Sequence, residues 1–314
     1  MTPPPGRDAA IRTGSKSFAM AAQLFDPATR ALVWDLYRWC RHCDDVTDGQ
    51  TLGHGHTVVA DREAHLASLE AGTARAYAGT ADDDDAFGAL ARVVAATGLP
   101  RCLASDHLAG FAMDTAGRRY ATIDDTLDYC YHVAGVVGLM MAWVMGVRDR
   151  DVLCRASDLG LAFQLSNISR DVGDDLVTGR VYLPDSWLRD AGATLLPGAA
   201  LTPDTATALA PTVSRVIDLA ERYYDASWYG VPYLPGRSAW AVATARLVYR
   251  DIGRQVANRG AHAWGSRTVV STSRKLLRLL QAGTQVGWVR ASRSQRLAPP
   301  RTGLYTPAAV AMLG

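Results

Sequence analysis

Apolar residues recur at three- and four-residue steps along most of the chain, the period of helices that bury one face. The segments run Thr29 to Asp48, Asp61 to Ala78, Ala86 to Ala96, Ala104 to Met113, Thr126 to Met145, Val152 to Leu176, Thr205 to Ala226 and Ala239 to Asn258. Strand-like alternation is scarce. Breakers separate the segments at Gly98-Leu99-Pro100, Gly179, Leu183-Pro184, Leu196-Pro197-Gly198 and Pro232 through Gly236, none long enough for an interdomain linker. No internal repeat is visible. The pattern predicts one all-α domain over 14–289, a disordered N-terminal tail over 1–13 and a basic, proline-containing C-terminal tail over 290–314.

One segment is apolar all round. Residues 129–147 contain no Asp, Glu, Lys or Arg, which approaches the length of a membrane span. A span would put Tyr129, Tyr131 and His132 in lipid at one end, whereas Gly135, Gly138, Ala142 and Gly146 are spaced to admit a close neighbour. A helix buried on all sides in a large bundle fits better.

Composition narrows the class. With 314 residues, 48% hydrophobic, 20% charged and a net charge of +2, the chain is neither disordered nor fibrous. A chain of this size removes roughly three quarters of its unfolded surface from water, so it tolerates a large apolar cavity. Five cysteines, at 40, 43, 102, 130 and 154, form no disulfide framework, and the start Met1 to Gly6 lacks the apolar core of a secretory signal. A reducing cytoplasm is the expected location. The charge is unevenly placed: no acidic residue follows Asp251, so the last 63 residues carry +10 and the remainder −8. That split suits a polyanionic contact, whether membrane surface, nucleic acid or phosphorylated ligand.

Two acidic stripes carry the candidate chemistry. On a helix, Tyr37, Arg41, Asp44 and Asp48 fall at steps of four, three and four and share one face. Trp39, Cys40 and Val46 make this a half-buried helix, where unpaired carboxylates are costly. A divalent cation between them removes the repulsion, and Mg²⁺ takes one or two carboxylates together with phosphate oxygens and water. In the second stripe Asn167, Asp171 and Asp175 lie at successive steps of four, with Gly160 and Gln164 extending the face. Two oxygen-ligand stripes in one helical domain point to a shared Mg²⁺ site.

The segments Gly14-Ser15-Lys16-Ser17-Phe18, Arg41-His42-Cys43-Asp44-Asp45-Val46-Thr47-Asp48, Tyr129-Cys130-Tyr131-His132-Val133-Ala134-Gly135, Asn167-Ile168-Ser169-Arg170-Asp171-Val172 and Gly179-Arg180-Val181-Tyr182-Leu183-Pro184 resemble the squalene/phytoene synthase family, and most of all its bacterial phytoene synthase branch. The likeness extends from about Gly14 to about Trp264. Thr47 in the first aspartate motif and Asp174 beside the second are minor departures.

The resemblance implies an isoprenoid-synthase helical bundle around a central apolar cavity. It implies head-to-head condensation of two geranylgeranyl diphosphates, through a cyclopropyl (prephytoene) diphosphate, to phytoene with release of diphosphate, in carotenoid biosynthesis. Squalene or dehydrosqualene synthesis from farnesyl diphosphate is the runner-up, since cavity depth decides between them. By family position, Asp44, Asp48, Asn167, Asp171 and Asp175 would hold Mg²⁺, with Mn²⁺ as a substitute and no NADPH. Ser15, Ser17, Arg41, Gln164, Arg180 and Arg267 would contact the diphosphates. Tyr37, Tyr131 and Tyr249 would stand near the reacting carbons, where ring faces favour a cation. Residues 133–147 with Phe163 and Trp240 are candidates for the cavity wall.

Other features are set aside. Cys40 and Cys43 have zinc-knuckle spacing without a second pair; Asp82 to Asp85 read as a solvated loop, His54-Gly55-His56 as surface, and His132 as a buried structural histidine. No glycine-rich dinucleotide fingerprint is visible. Intact aspartates argue against a noncatalytic scaffold, and no nucleic-acid module accompanies the basic C-terminal region. There Arg274, Lys275 and Arg278 alternate with Leu276, Leu277, Leu279 and Leu280 ahead of Val286, Trp288 and Val289, a pattern that suits a helix with an apolar side and a basic rim. It predicts peripheral attachment to anionic membrane through residues including Arg290, Arg293, Arg296 and Arg301. The competing picture packs the leucines on the core and leaves the arginines solvated. Neighbouring carotenoid-pathway enzymes are further expected partners.

Overall fold

Asp26 accepts hydrogen bonds from the backbone N–H groups of Ala28 and Thr29 at 3.1 and 3.0 Å, and Pro27 follows it, so a helix starts there. In this computed structural model, which describes residues 20–49, 61–83, 85–291 and 299–313, that helix is α1 (Pro27–Asp48). It stops at Gly49, whose φ of 62° only glycine adopts without strain. Next come α2 (Arg62–Ala78), α3 (Ala86–Thr97) and α4 (Arg101–Thr115). Then α5 (Ile123–Cys130) runs into a π turn (Tyr131–Gly135) and on into α6 (Val136–Val144). The remainder is α7 (Arg150–Val177), α8 (Asp185–Asp190), α9 (Pro203–Trp228), α10 (Gly236–Arg259), α11 (Thr272–Ala291) and α12 (Ala308–Met312). Among the described residues there is no strand, as the periodicity predicts. All five cysteines are free thiols.

The long helix α7 is the axis of the bundle, packed by α6 and the π turn on one side and by α9 and α10 on others. Close approach there requires glycine. A Cβ on Gly160 would lie 2.2 Å from the Ala134 carbonyl oxygen, and one on Gly138 would lie 2.3 Å from that of Ala156. The Ile123–Val144 stretch is long and apolar enough to cross a membrane, yet 56% of its most apolar window is buried within the bundle.

The C-terminal segment, expected as a tail, docks where it is described. The Arg301 guanidinium meets the fully buried Asp158 of α7 at 2.6 and 2.9 Å, and Tyr305 donates to Asp128 at 3.1 Å. Helix α12 packs on α7.

Candidate active site

A cavity of about 1580 Å³, counting its open mouth, runs through the bundle between α1, the π turn with α6, α7 and α10. Its walls are mainly apolar. Val133, Ala134, Val137, Gly138, Met141, Ala142 and Met145 line it from the π turn, α6 and the turn after it, and Phe163 lines it from α7. Trp240, expected on the wall, lies elsewhere: its indole N–H donates to the Leu279 carbonyl at 2.8 Å and its ring covers Gly283 of α11. Arg155 and Gly230 form another part of the lining; the Arg155 guanidinium donates to the carbonyls of Pro299 at 2.7 Å and Ala226 at 3.4 Å.

The polar groups of both stripes meet in this lining: Tyr37, Arg41 and Asp44 from α1, and Gln164 and Asn167 from α7. Tyr249 of α10 joins them, its ring stacked on Phe163 at 4.3 Å. Burial pushes the Tyr37 phenol up, while Arg41, hydrogen-bonded to it, pulls it back; Tyr249 and Asp44 act in the same direction as burial. Arg41 also lies 3.4 Å from Asp44 and 3.8 Å from Asp45. On the facing helix, Asn167 donates to Gln164 at 3.5 Å while its carbonyl oxygen is buried with no hydrogen-bond partner.

One turn and two turns further along α7, Asp171 and Asp175 stand just off the cavity lining. Arg170 grips Asp171 with two N–H groups, one at 2.7 Å, and Arg267 approaches it to 3.4 Å from beyond α10. Burial is the main force that raises Asp175, to about 8, and Asp171 adds to it against the pull of Arg180. Arg180 is held there because its N–H caps α7 on the Asp175 carbonyl at 2.8 Å. The departures from the family motif are structural: Thr47 donates to the Cys43 carbonyl at 2.9 Å, and Asp174 is exposed, 3.9 Å from Arg267.

Four expected residues are not placed in the site. Ser15 and Ser17 lie outside the described residues, as does the side chain of Asp48. Tyr131, expected beside the reacting carbons, is buried away from the cavity lining: its hydroxyl donates to Asp106 and its ring packs 5.7 Å from that of Tyr305. Asp106 of α4 holds the hydroxyl on that side, a contact across the fold that family position does not convey. Two other groups escape sequence reasoning. Asp114 accepts from Tyr129 and Tyr182 at 3.0 Å each and adds its charge to the field on Asp175. His107, from α4, lines the cavity.

The family model of squalene/phytoene synthase matches residues 11–275. The chain belongs to the squalene/phytoene synthase family. Within that family it is 52% identical to the phytoene synthase of Pseudescherichia vulneris, over 97% of this chain and 99% of that one. It is 49% identical to the 15-cis-phytoene synthase of Pantoea ananas, over 93% of each. A crystal structure of a dehydrosqualene synthase in complex with ligand superposes with a TM-score of 0.78 at 27% identity, covering 90% of this chain and 95% of that one. A complex of TcSQS with the ligand BPH1237 shares the fold at 17% identity, with a TM-score of 0.72 over 98% of this chain and 95% of that one. Family membership makes the protein a prenyltransferase acting on a prenyl diphosphate. The phytoene synthase reading is favoured over the squalene synthase one, because the similarity spans nearly the whole length of both chains.

Proposed function

We propose that this prenyltransferase joins two geranylgeranyl diphosphates head to head, through prephytoene diphosphate, to phytoene. The observation that carries the reading is that Asp44 of α1 and Asn167 of α7 line one cavity whose other walls are mainly apolar. Such a site holds charged headgroups at one place and long hydrocarbon chains beside them.

The donor set fits Mg²⁺. Asn167 offers a buried oxygen without a partner, and Asp175 carries a charge that burial disfavours and Asp171 disfavours further. Asp44, Asp48, Asn167, Asp171 and Asp175 are the residues that would hold the ion, with Mn²⁺ as a substitute. Mg²⁺ takes one or two carboxylates and completes its shell with phosphate oxygens and water. When bound, Mg²⁺ offsets the charge that develops on a departing diphosphate.

The chain's own groups do the rest. Arg41, Arg180 and Arg267 bring positive charge to the diphosphates. Tyr37 and Tyr249 present ring faces beside the point where carbon becomes cationic. The apolar wall excludes water, which would otherwise quench the cation. No hydride donor enters this scheme. Incubation with farnesyl and geranylgeranyl diphosphates together in Mg²⁺ buffer, without nicotinamide, is expected to give a C40 hydrocarbon by mass analysis. A C30 product formed in preference overturns the chain-length assignment.

We further propose that the protein sits on the cytoplasmic face of a membrane, because substrate and product are lipids. Helix α11 supports a surface different from the one charge alone suggests. Arg274 and Arg278 both bind Asp251, at 2.8 and 2.7 Å, and Arg290 donates to the Leu234 carbonyl, so these arginines are engaged within the bundle. Arg301 is likewise taken by Asp158. Leu276, Leu277, Leu280 and Trp288 are instead 51–65% exposed. Vesicle flotation is expected to lose the protein when Leu277, Leu280 and Trp288 are changed to Ser; unchanged recovery would leave α11 a solvated face.

A further inference from the structure

A carbocation that ends as a hydrocarbon must give a proton to a lone pair within reach. Few such groups line this cavity. Asp44, Gln164 and Asn167 stand with the diphosphates, Arg41 and Arg155 are cations, and the phenol oxygens of Tyr37 and Tyr249 are far weaker bases than an imidazole nitrogen. Burial holds the Cys40 thiol protonated, and Ser227 is spent on the Tyr224 carbonyl at 2.8 Å.

His107 differs from all of these. It is 2% exposed, lines the cavity, and its Nε2 has no hydrogen-bond partner. Its Nδ1 lies 3.2 Å from the His132 carbonyl oxygen. A carbonyl only accepts, so Nδ1 carries the ring hydrogen and Nε2 presents a bare lone pair. Trp39 and Phe111 pack the ring at 5.4 and 4.9 Å. The carbonyl that fixes it belongs to the π turn, and Gly110, three residues on from His107, allows that approach: a Cβ there would meet Val133 at 2.8 Å and His132 at 3.2 Å. Burial keeps the ring neutral, lowering it to about 4.

We propose that His107 Nε2 accepts the proton lost in the last step of hydrocarbon formation, a role that rests on the condensation assigned above. After the second diphosphate has left, the C–H bond beside the cationic carbon breaks and its electron pair closes the central C=C bond. The proton bonds to Nε2. The resulting imidazolium keeps its Nδ1–H on His132 and returns the extra proton to the released diphosphate. A weakly basic imidazole suffices, since a carbocation is a far stronger acid than an imidazolium.

The test uses the full-length protein with two substrates, geranylgeranyl diphosphate and prephytoene diphosphate. His107→Phe keeps the packed ring and removes both nitrogens. Its formation of prephytoene diphosphate is expected to stay within about threefold of wild type, while hydrocarbon formation from prephytoene diphosphate falls about 100-fold, as for the loss of a general base. Water-quenched C40 alcohols and a mixture of central double-bond geometries should accompany the fall. A folded variant that makes the same hydrocarbon, with the same geometry and at an unchanged rate, overturns the proposal and leaves diphosphate as the acceptor. ¹⁵N NMR of histidine-labelled wild type decides the matter even if the variant does not fold: Nε2 should be unprotonated at neutral pH, and a protonated Nε2 overturns the assignment. A wild type that converts only farnesyl diphosphate would instead refute the chain length, with the His107 comparison then run on the C30 cyclopropyl intermediate.

Discussion

The two polar walls of the cavity each bring carboxylates to one face of a helix, and they differ in how much water they keep. Asp44 on α1 is 45% exposed and faces Arg41, whereas Asp171 on α7 is 18% exposed and clamped by Arg170, and Asp175 is raised to about 8 by burial. The α7 wall is also fused to its neighbour through Gly138 and Gly160, where backbones touch. The α1 wall has a buried histidine behind it, packed on Trp39. Spacing alone brings ligands to one face; burial decides which of them must be neutralised before the site is stable. One wall is half-exposed to water, while on the other burial disfavours the charge of Asp175 and arginines pair with Asp171.

The sharpest test of that contrast pairs activity with stability. Asp44→Asn, Asp171→Asn and Asp175→Asn are each expected to lower turnover by roughly 10²–10³, the usual loss when one group stabilising developing charge is removed. Melting in chelator should separate them. Asp175→Asn is expected to raise the melting temperature, because an amide replaces a carboxylate that burial disfavours, while Asp44→Asn should change stability by less than about 0.5 kcal/mol. Equal shifts for the two would erase the distinction between the walls.

Acid should act on the opposite side. His107 is lowered from 6.5 to about 4 by burial, with His132 the titratable neighbour that faces it. Its neutral form favours the folded state, so this contribution is complete above pH 6.5 and is lost as pH falls from 6.5 through 4, amounting to roughly 3 kcal/mol. Urea midpoints measured at pH 7 and pH 4.5 should drop less for His107→Phe than for wild type. A parallel drop would mean that some other group drives the acid limb.

The smallest effect lies in the glycines of the α7 wall. Gly160→Ala must displace the Ala134 backbone and is expected to cost about 1–3 kcal/mol. Gly173, on the same helix, has nothing nearer than Trp264 at 3.8 Å, so Gly173→Ala should be neutral or stabilising by up to about 1 kcal/mol. Chemical denaturation of both variants measures the difference.

How much of this was legible in the chain follows from the range of each interaction. Asp44, Asn167, Asp171 and Asp175 were singled out because each belongs to a local pattern, a matter of steps of three and four along one helix. The helices themselves were legible for the same reason, to within a few residues at each end. Tyr131 was expected at the reacting carbons by family position, whereas Asp106, 25 residues away, holds its hydroxyl off the cavity lining. Trp240 was misplaced because its partner is a carbonyl on α11, 39 residues away. The C-terminal arginines were taken as free surface charge because Asp251 and Asp158 reach them only through the fold. His107 gave no signal at all: a lone histidine becomes chemically distinct only when a carbonyl occupies one nitrogen and the other is buried without a partner.

The pairing of Arg301 with Asp158 also sets a clock on synthesis. The two residues are 143 positions apart, so at about 5–20 residues per second a ribosome delivers the arginine roughly 7–30 seconds after the aspartate. Throughout that interval α7 can assemble with its earlier neighbours only around a buried carboxylate that lacks its ion-pair partner and has Arg155 as its nearby positive charge, which favours a loosely closed bundle. Arrival of Arg301 closes it, and with it comes Pro299, whose carbonyl holds Arg155. The nascent protein is therefore expected to expose its lipid-shaped interior until the last segment is made, the period in which it depends most on chaperones.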